Sequence, residues 1–109
     1  MLQFGLKQLD FVFGNNPFGI SMVEGVGIHN PPIYHHRYAH IPGNPRGAVP
    51  GAIVNGIIER NGAPFLNVNS AAGSSIQNQL GNAMSNEPWL PHNVHFMLAI
   101  SALRAIIQP

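Results

Sequence analysis

The chain contains no cysteine, which excludes a disulfide scaffold, a thiolate zinc site and a cysteine nucleophile, and leaves the redox compartment undecided. Charge is nearly as scarce: Asp, Glu, Lys and Arg make up 8% of the 109 residues. Soluble domains average about a quarter, and so few charges make a poor exterior for a free-standing small protein. The net charge is +1 and no Lys/Arg cluster occurs, so the electrostatic attraction that drives nucleic-acid binding is missing. The N-terminus MLQFGLKQLDFVFG lacks the basic start, apolar stretch and cleavage site of a signal peptide. The longest apolar run, Val94 to Ile107, contains His95 and Arg104 and falls short of the roughly 20 residues of a membrane span. It predicts a buried helix of a soluble protein, with neither nucleic acid nor membrane as partner.

What is present divides into two helical ends and a long middle. Leu2, Leu6, Leu9 and Phe13 recur at helical spacing, and Gly14 is the residue type that commonly ends a helix. This predicts an amphipathic helix over 2–14. A second helix is expected over 86–107, with Pro88 and Pro91 tolerated in its first turn and an apolar body, VHFMLAISALRAII. A helix apolar on every face is normally surrounded by others. Between them, 15–85 carries nearly all of the 12 Gly and 10 Pro. Only AIVNGII at 52–58 reads there as a short strand or buried extended segment, and scattered Asn make up a polar surface. Loops of that length are usually functional or a sign that the elements are wrongly assigned. Few charges, an all-round apolar helix and an oversized loop together predict the end of a larger helical protein, whose exposed helix faces would drive self-association.

Chemistry can reside in few places. Six His include His29, the cluster His35-His36-Arg37 with nearby His40, and the helical pair His92/His95. A pair at i, i+3 shares a helix face and could hold zinc or copper, but no HExxH pattern or carboxylate at ligand spacing accompanies it. The bland reading, loop His side chains bonded to backbone, fits His29 and His40 best. His-His-Arg instead offers a planar fork and ring donors suited to a hydroxyl-rich ligand or an anion. Of the four acids, Asp10 lies on the polar face of the first helix, Glu59 adjoins Arg60 in a Gly/Asn-rich turn, and Glu24 beside Gly25 reads as solvated. Glu87 is different, opening an apolar helix next to Trp89. The helix dipole would favour its charged form, whereas desolvation by the aromatic would favour the protonated form of a general acid.

Ser21-Met22-Val23-Glu24-Gly25-Val26-Gly27, then Pro31-Pro32 and His35-His36-Arg37, resembles the first signature of glycoside hydrolase family 9, the inverting cellulases. Upstream QLDFVFGNNPFGIS, downstream Val49-Pro50-Gly51-Ala52-Ile53-Val54-Asn55-Gly56, and Asn86-Glu87 with Asn93 resemble further elements of that family in the same order. Departures occur at Glu24, where the family has a small hydroxyl or Val, at His29, and at Tyr34, where Pro or an aliphatic is usual. The second signature is weaker, with Asn78 at its Asp and Ile76 and Ala83 at its aromatics. The resemblance implies an all-α fold: the C-terminal part of an (α/α)6 barrel, two helices flanking a long irregular active-site loop. It implies Glu87 as general acid, His35 and Arg37 as sugar-hydroxyl ligands, His92 as a cleft-lining residue, β-glucan as substrate, no cofactor or metal, and a secreted or periplasmic location. Inverting hydrolysis also needs a base that activates water, which the family carries in an Asp-rich motif with no counterpart here. The rest of the catalytic domain is therefore the expected partner, and the chain alone is expected to be inactive. The rival readings are a His-rich metal-binding protein and a non-catalytic carbohydrate-binding module.

Overall fold

The computed structural model describes residues 1–68 and 80–108. Its elements are α1 (Leu2–Val12), a 3₁₀ turn (Arg37–His40), β1 (Ile58–Arg60), β2 (Ala63–Phe65), α2 (Leu80–Asn86) and α3 (Leu90–Ile107). The expected all-α class is thus only partly met, since an antiparallel hairpin joins the helices. Ile76 and Asn78 lie outside the described residues.

α1 ends as its sequence predicts. Gly14 adopts φ +116°, its N–H donates to the Phe11 carbonyl at 3.3 Å, and the Asn15 N–H donates to the Asp10 carbonyl at 2.8 Å. These are the two bonds of a Schellman end, which satisfy carbonyls the helix leaves free. Gly27 (φ +85°) packs the following segment onto this end: a Cβ there would lie 2.8 Å from the Ser21 Cβ and 3.0 Å from the Phe13 carbonyl oxygen.

The middle of the chain departs from the irregular loop expected over 15–85. Residues 52–57 form no strand. They run extended, with isolated antiparallel bridges from Val23 to Ile53 and from Val54 to Pro88, and β1 starts only at Ile58. The Gly/Asn-rich turn beside Glu59 and Arg60 is a hairpin turn that the sequence reading did not identify: Asn61 and Gly62 take φ +55° and +78° in a two-residue loop closed by Arg60 opposite Ala63. Two successive positive φ values match the right-handed twist of the strands, and Asn-Gly adopts them most readily.

The core also sits in this middle segment. Met22, Tyr34 and Val54 form its centre, with Val12, Ala48 and Ile57 packed around it, and Val23, Ile33, Ala52, Ile53 and Leu66 are buried as well. Neither α1 nor α3 contains a buried residue, which corrects the expectation of a buried final helix. The physical reason is a lack of partners: α3 is apolar around its circumference, and α1 covers only part of one side. The Phe13 and Phe96 rings meet edge-on at 5.7 Å. Beyond them the helices diverge around an apolar cleft of about 570 Å³ floored by Met22, Ile53 and Val54. By length and composition α3 reaches the minimum for a membrane crossing, because Leu90–Asn93 extend the helix beyond the run counted from Val94.

Candidate active site

Asn86, buried completely, is the junction on which the site is built. Its Nδ2 donates to the carbonyls of Ile33 and Asn67, each at 2.9 Å, and its Oδ1 accepts from the Ser85 hydroxyl at 2.6 Å. Its own carbonyl accepts the His35 N–H at 3.1 Å. Two distant stretches of chain, 33–35 and the one at Asn67, are therefore fastened to the residue preceding Glu87. A primary amide serves here because it carries donors and an acceptor without charge, so burial requires bonding partners but no counter-ion.

Glu87 does not open a helix. α2 ends at Asn86, α3 begins at Leu90 with Trp89 as its N-cap, and Glu87 lies in the crossing between them. This corrects the expected start of the final helix and removes Glu87 from the first turn, where the helix dipole acts most strongly. Pro88 precedes the helix, and only Pro91 occupies its first turn. The crossing is held as an extended strand would be. The Asn55 N–H donates to the Glu87 carbonyl at 3.0 Å, Gly56 N–H to the Ser85 carbonyl at 2.8 Å, and Trp89 N–H to the Ile53 carbonyl at 3.3 Å. Asn93, one turn into α3, accepts the Ile53 N–H at 3.0 Å and donates to the carbonyls of Ile53 and Trp89 at 3.1 and 2.7 Å. Every one of these bonds uses the main chain of Glu87's neighbourhood. Its half-buried carboxyl has neither hydrogen bond nor ion pair among the described residues.

Around it, the bond from His35 to Asn86 places two of the predicted residues at one junction. The His35 Nδ1 is buried without a partner, as is the Asn55 Oδ1. Arg37 is exposed at the start of the 3₁₀ turn. The turn is capped by His36, whose Nδ1 accepts the Tyr38 N–H at 3.2 Å and whose ring meets Tyr38 edge-on at 4.4 Å. His92 packs edge-on against Trp89 at 5.3 Å and lines the α1–α3 cleft. Trp89 itself is half exposed; the partner it packs against is His92. The His side chains that bond backbone are His36 and His95, the latter 2.7 Å from the Pro91 carbonyl, whereas the expected His29 and His40 are exposed. Among the described residues no three His, Cys, Asp or Glu gather at metal-binding range.

Glu24 corrects a further expectation. Its residue is 9% exposed; the carboxylate accepts from the Tyr34 hydroxyl and from Arg46 Nη2 at 3.4 Å. Sequence reading missed this group because its three members are 10 and 22 positions apart and match no local pattern. Burial first, then the bond to Glu24 and its charge, push the Tyr34 hydroxyl well above its ordinary range, with Arg46 acting in the opposite direction. The folded state therefore keeps this proton after the unfolded chain has lost it. The stability it contributes is fully present below the unfolded value near 10 and falls as pH rises above it, by up to about 1.4 kcal/mol per unit. In a protein that carries this segment within a complete domain, denaturant titrations between pH 9 and 11 are expected to show that fall, and Tyr34→Phe to flatten it; an equal slope in the variant would refute the assignment.

The sequence pattern of glycosyl hydrolase family 9 matches residues 1–100. Relatives include endoglucanase B of Cellulomonas fimi, 31% identical over 108 residues covering 92% of this chain and 9% of that protein. Endoglucanase 21 of Arabidopsis thaliana is 30% identical, covering 92% of this chain and 17% of its own length. Endoglucanase 8 of Oryza sativa subsp. japonica is 45% identical over 47 residues, covering 43% of this chain and 9% of its own. The chain thus spans less than a fifth of each of these relatives. No solved structure matches it.

Proposed function

Because this chain belongs to glycosyl hydrolase family 9, we propose that it forms the C-terminal part of an (α/α)6-barrel catalytic domain that hydrolyses β-linked glucan with inversion. Glu87 is the general acid that protonates the departing glycosidic oxygen. His35 and Arg37 hold sugar hydroxyls beside the scissile bond, and His92 lines the cleft. The observation that carries this reading is the treatment of Glu87: its main chain is fixed through Asn55 and flanked by the bonds of Asn86 and Asn93, while its carboxyl has no partner among the described residues. A general acid needs that combination, a fixed position and a proton not committed to another group.

Inversion requires a second carboxylate about 6.5–9.5 Å from the acid, with room for a water. The other three acids are placed elsewhere: Asp10 is exposed on α1, Glu24 is tied to Tyr34 and Arg46, and Glu59 accepts the Gly62 N–H in the hairpin turn. The base is supplied by the remainder of the domain, whose helices also cover the apolar faces of α1 and α3. Purified 1–109 is accordingly expected to self-associate and to release no sugar from a cello-oligosaccharide or an aryl glucoside. Measurable turnover by this chain, or a monodisperse monomer with a sharp cooperative melt, would contradict that expectation. The function itself is tested by β-glucan hydrolysis in a protein that carries this segment within a complete domain. A folded protein that leaves the glucan intact would exclude it.

A further inference from the structure

We infer that the buried pair Glu24 and Tyr34, closed on its open side by the half-exposed Arg46, forms a bracket that positions the His35–Arg37 segment, making all three positioning residues for sugar binding; this rests on the role proposed above for His35 and Arg37. Tyr34 is the residue immediately before His35, and it is completely buried. The bracket holds it at three points. Its hydroxyl donates to the Glu24 carboxylate. The Arg46 guanidinium stands 5.6 Å from the centre of its ring. Its N–H donates to the Arg46 carbonyl at 2.8 Å.

Arg46 also grips the chain leading into Tyr34, donating from Nη2 to the Pro31 carbonyl at 2.8 Å and from Nε to the Pro32 carbonyl at 3.1 Å. Pro31 and Pro32 lack N–H groups, so this stretch cannot be held by ladder bonds of its own and depends on the arginine fork. Arg46 stays in place because Asn44 closes the turn beneath it, accepting the Ala48 N–H at 3.0 Å and donating to the Ala48 carbonyl at 2.9 Å. Glu24 is anchored through its main chain, accepting from Gly51 and donating to Ala52, each at 2.9 Å. The far side of the sugar-binding segment is tied by His35 to Asn86. The segment is thereby fixed at both ends, by Asn86 on the Glu87 side and by the bracket on the other. A hydroxyl ligand must be held to within a fraction of an ångström, and neither the exposed Arg37 nor the half-buried His35 has side-chain bonds that could do this. Positions 24 and 34, both of which depart from the family signature, turn out to be in contact with each other.

Among the described residues the charges facing Tyr34 are those of Glu24 and Arg46, so the contacts can be removed singly. In the full-length protein, Tyr34→Phe keeps the ring and removes the hydroxyl, and Glu24→Gln keeps an acceptor and removes the charge that holds Arg46. Each is expected to raise KM for a cello-oligosaccharide about tenfold with kcat within about threefold, since Glu87 is not disturbed and uniform binding is what is lost. The double variant is expected to match the singles, about tenfold, because both changes open the same bracket. Unchanged KM with a lowered melting temperature, or a multiplied effect near a hundredfold, would overturn the proposal. A second readout does not depend on hydrolysis. In protein with isotope-labelled histidine, Tyr34→Phe is expected to shift the ring resonances of His35 and His36 and leave those of His92 and His95 in place. An unmoved His35 overturns the bracket, whereas a wild-type protein that hydrolyses no glucan while His35 shifts overturns the proposed function alone.

Discussion

Glu87→Gln, made in a protein that carries this segment within its whole catalytic domain, is expected to lower kcat/KM for cello-oligosaccharides by roughly two to four orders of magnitude, the range typical for loss of a general acid. The amide has the shape of the carboxyl but holds no transferable proton. The fold should tolerate the change, because the local bonds run through the Glu87 carbonyl and its neighbours and none runs through its carboxyl. Sugar binding, measured calorimetrically, should stay near the wild-type value, since protonation of the leaving oxygen matters only in the transition state. Substrates with an activated aryl leaving group need less protonation and should lose much less. Turnover within a few-fold of wild type on the unactivated substrate would remove Glu87 from the mechanism.

Asn86→Ala should cause the largest loss of stability of any single polar truncation in this segment, about 3–5 kcal/mol by denaturant titration. The change removes the donor to the buried Ile33 carbonyl, one bond to the part-buried Asn67 carbonyl and the acceptor of the buried Ser85 hydroxyl, and an unsatisfied buried group costs about 1–3 kcal/mol. It also opens a void at a fully buried site, which adds to the cost. Asn93→Ala, at a partly buried position, should cost less, about 1–2 kcal/mol, because water can reach some of the groups it leaves. An Asn86 variant within 1 kcal/mol of wild type would mean that the junction does not hold the middle of the chain together.

These two asparagines show why part of the structure could be read from the sequence and part could not. Asn86-Glu87 with Asn93 stood out as a motif, but its placement in a helix start was wrong. The reason the crossing is extended lies 53 and 40 residues away, in Ile33 and Ile53, whose backbone groups Asn86 and Asn93 satisfy. The asparagines as a class had been assigned to the surface. Asn30, Asn44, Asn86 and Asn93 instead bond main-chain groups of the long segment, the work that secondary structure does elsewhere. Few charges and many amides are consistent with this construction, since an amide can replace a missing ladder bond in a buried place and a charge cannot do so cheaply.

By itself the sequence determined whatever depends on near neighbours. It set α1 and its glycine end, where both bonds of the cap lie within five positions. It set the apolar character of α3, the Asn-Gly turn of the hairpin, the family signature and the singular position of Glu87 among four acids. Tertiary structure alone decided that the core lies within the segment that looks irregular, that Glu24 is buried against Tyr34 and Arg46, and that Glu87 sits between helices with its carboxyl unpartnered among the described residues. Each of these rests on contacts between residues far apart in the chain, and burial, which sets their chemistry, is a property of what surrounds a residue.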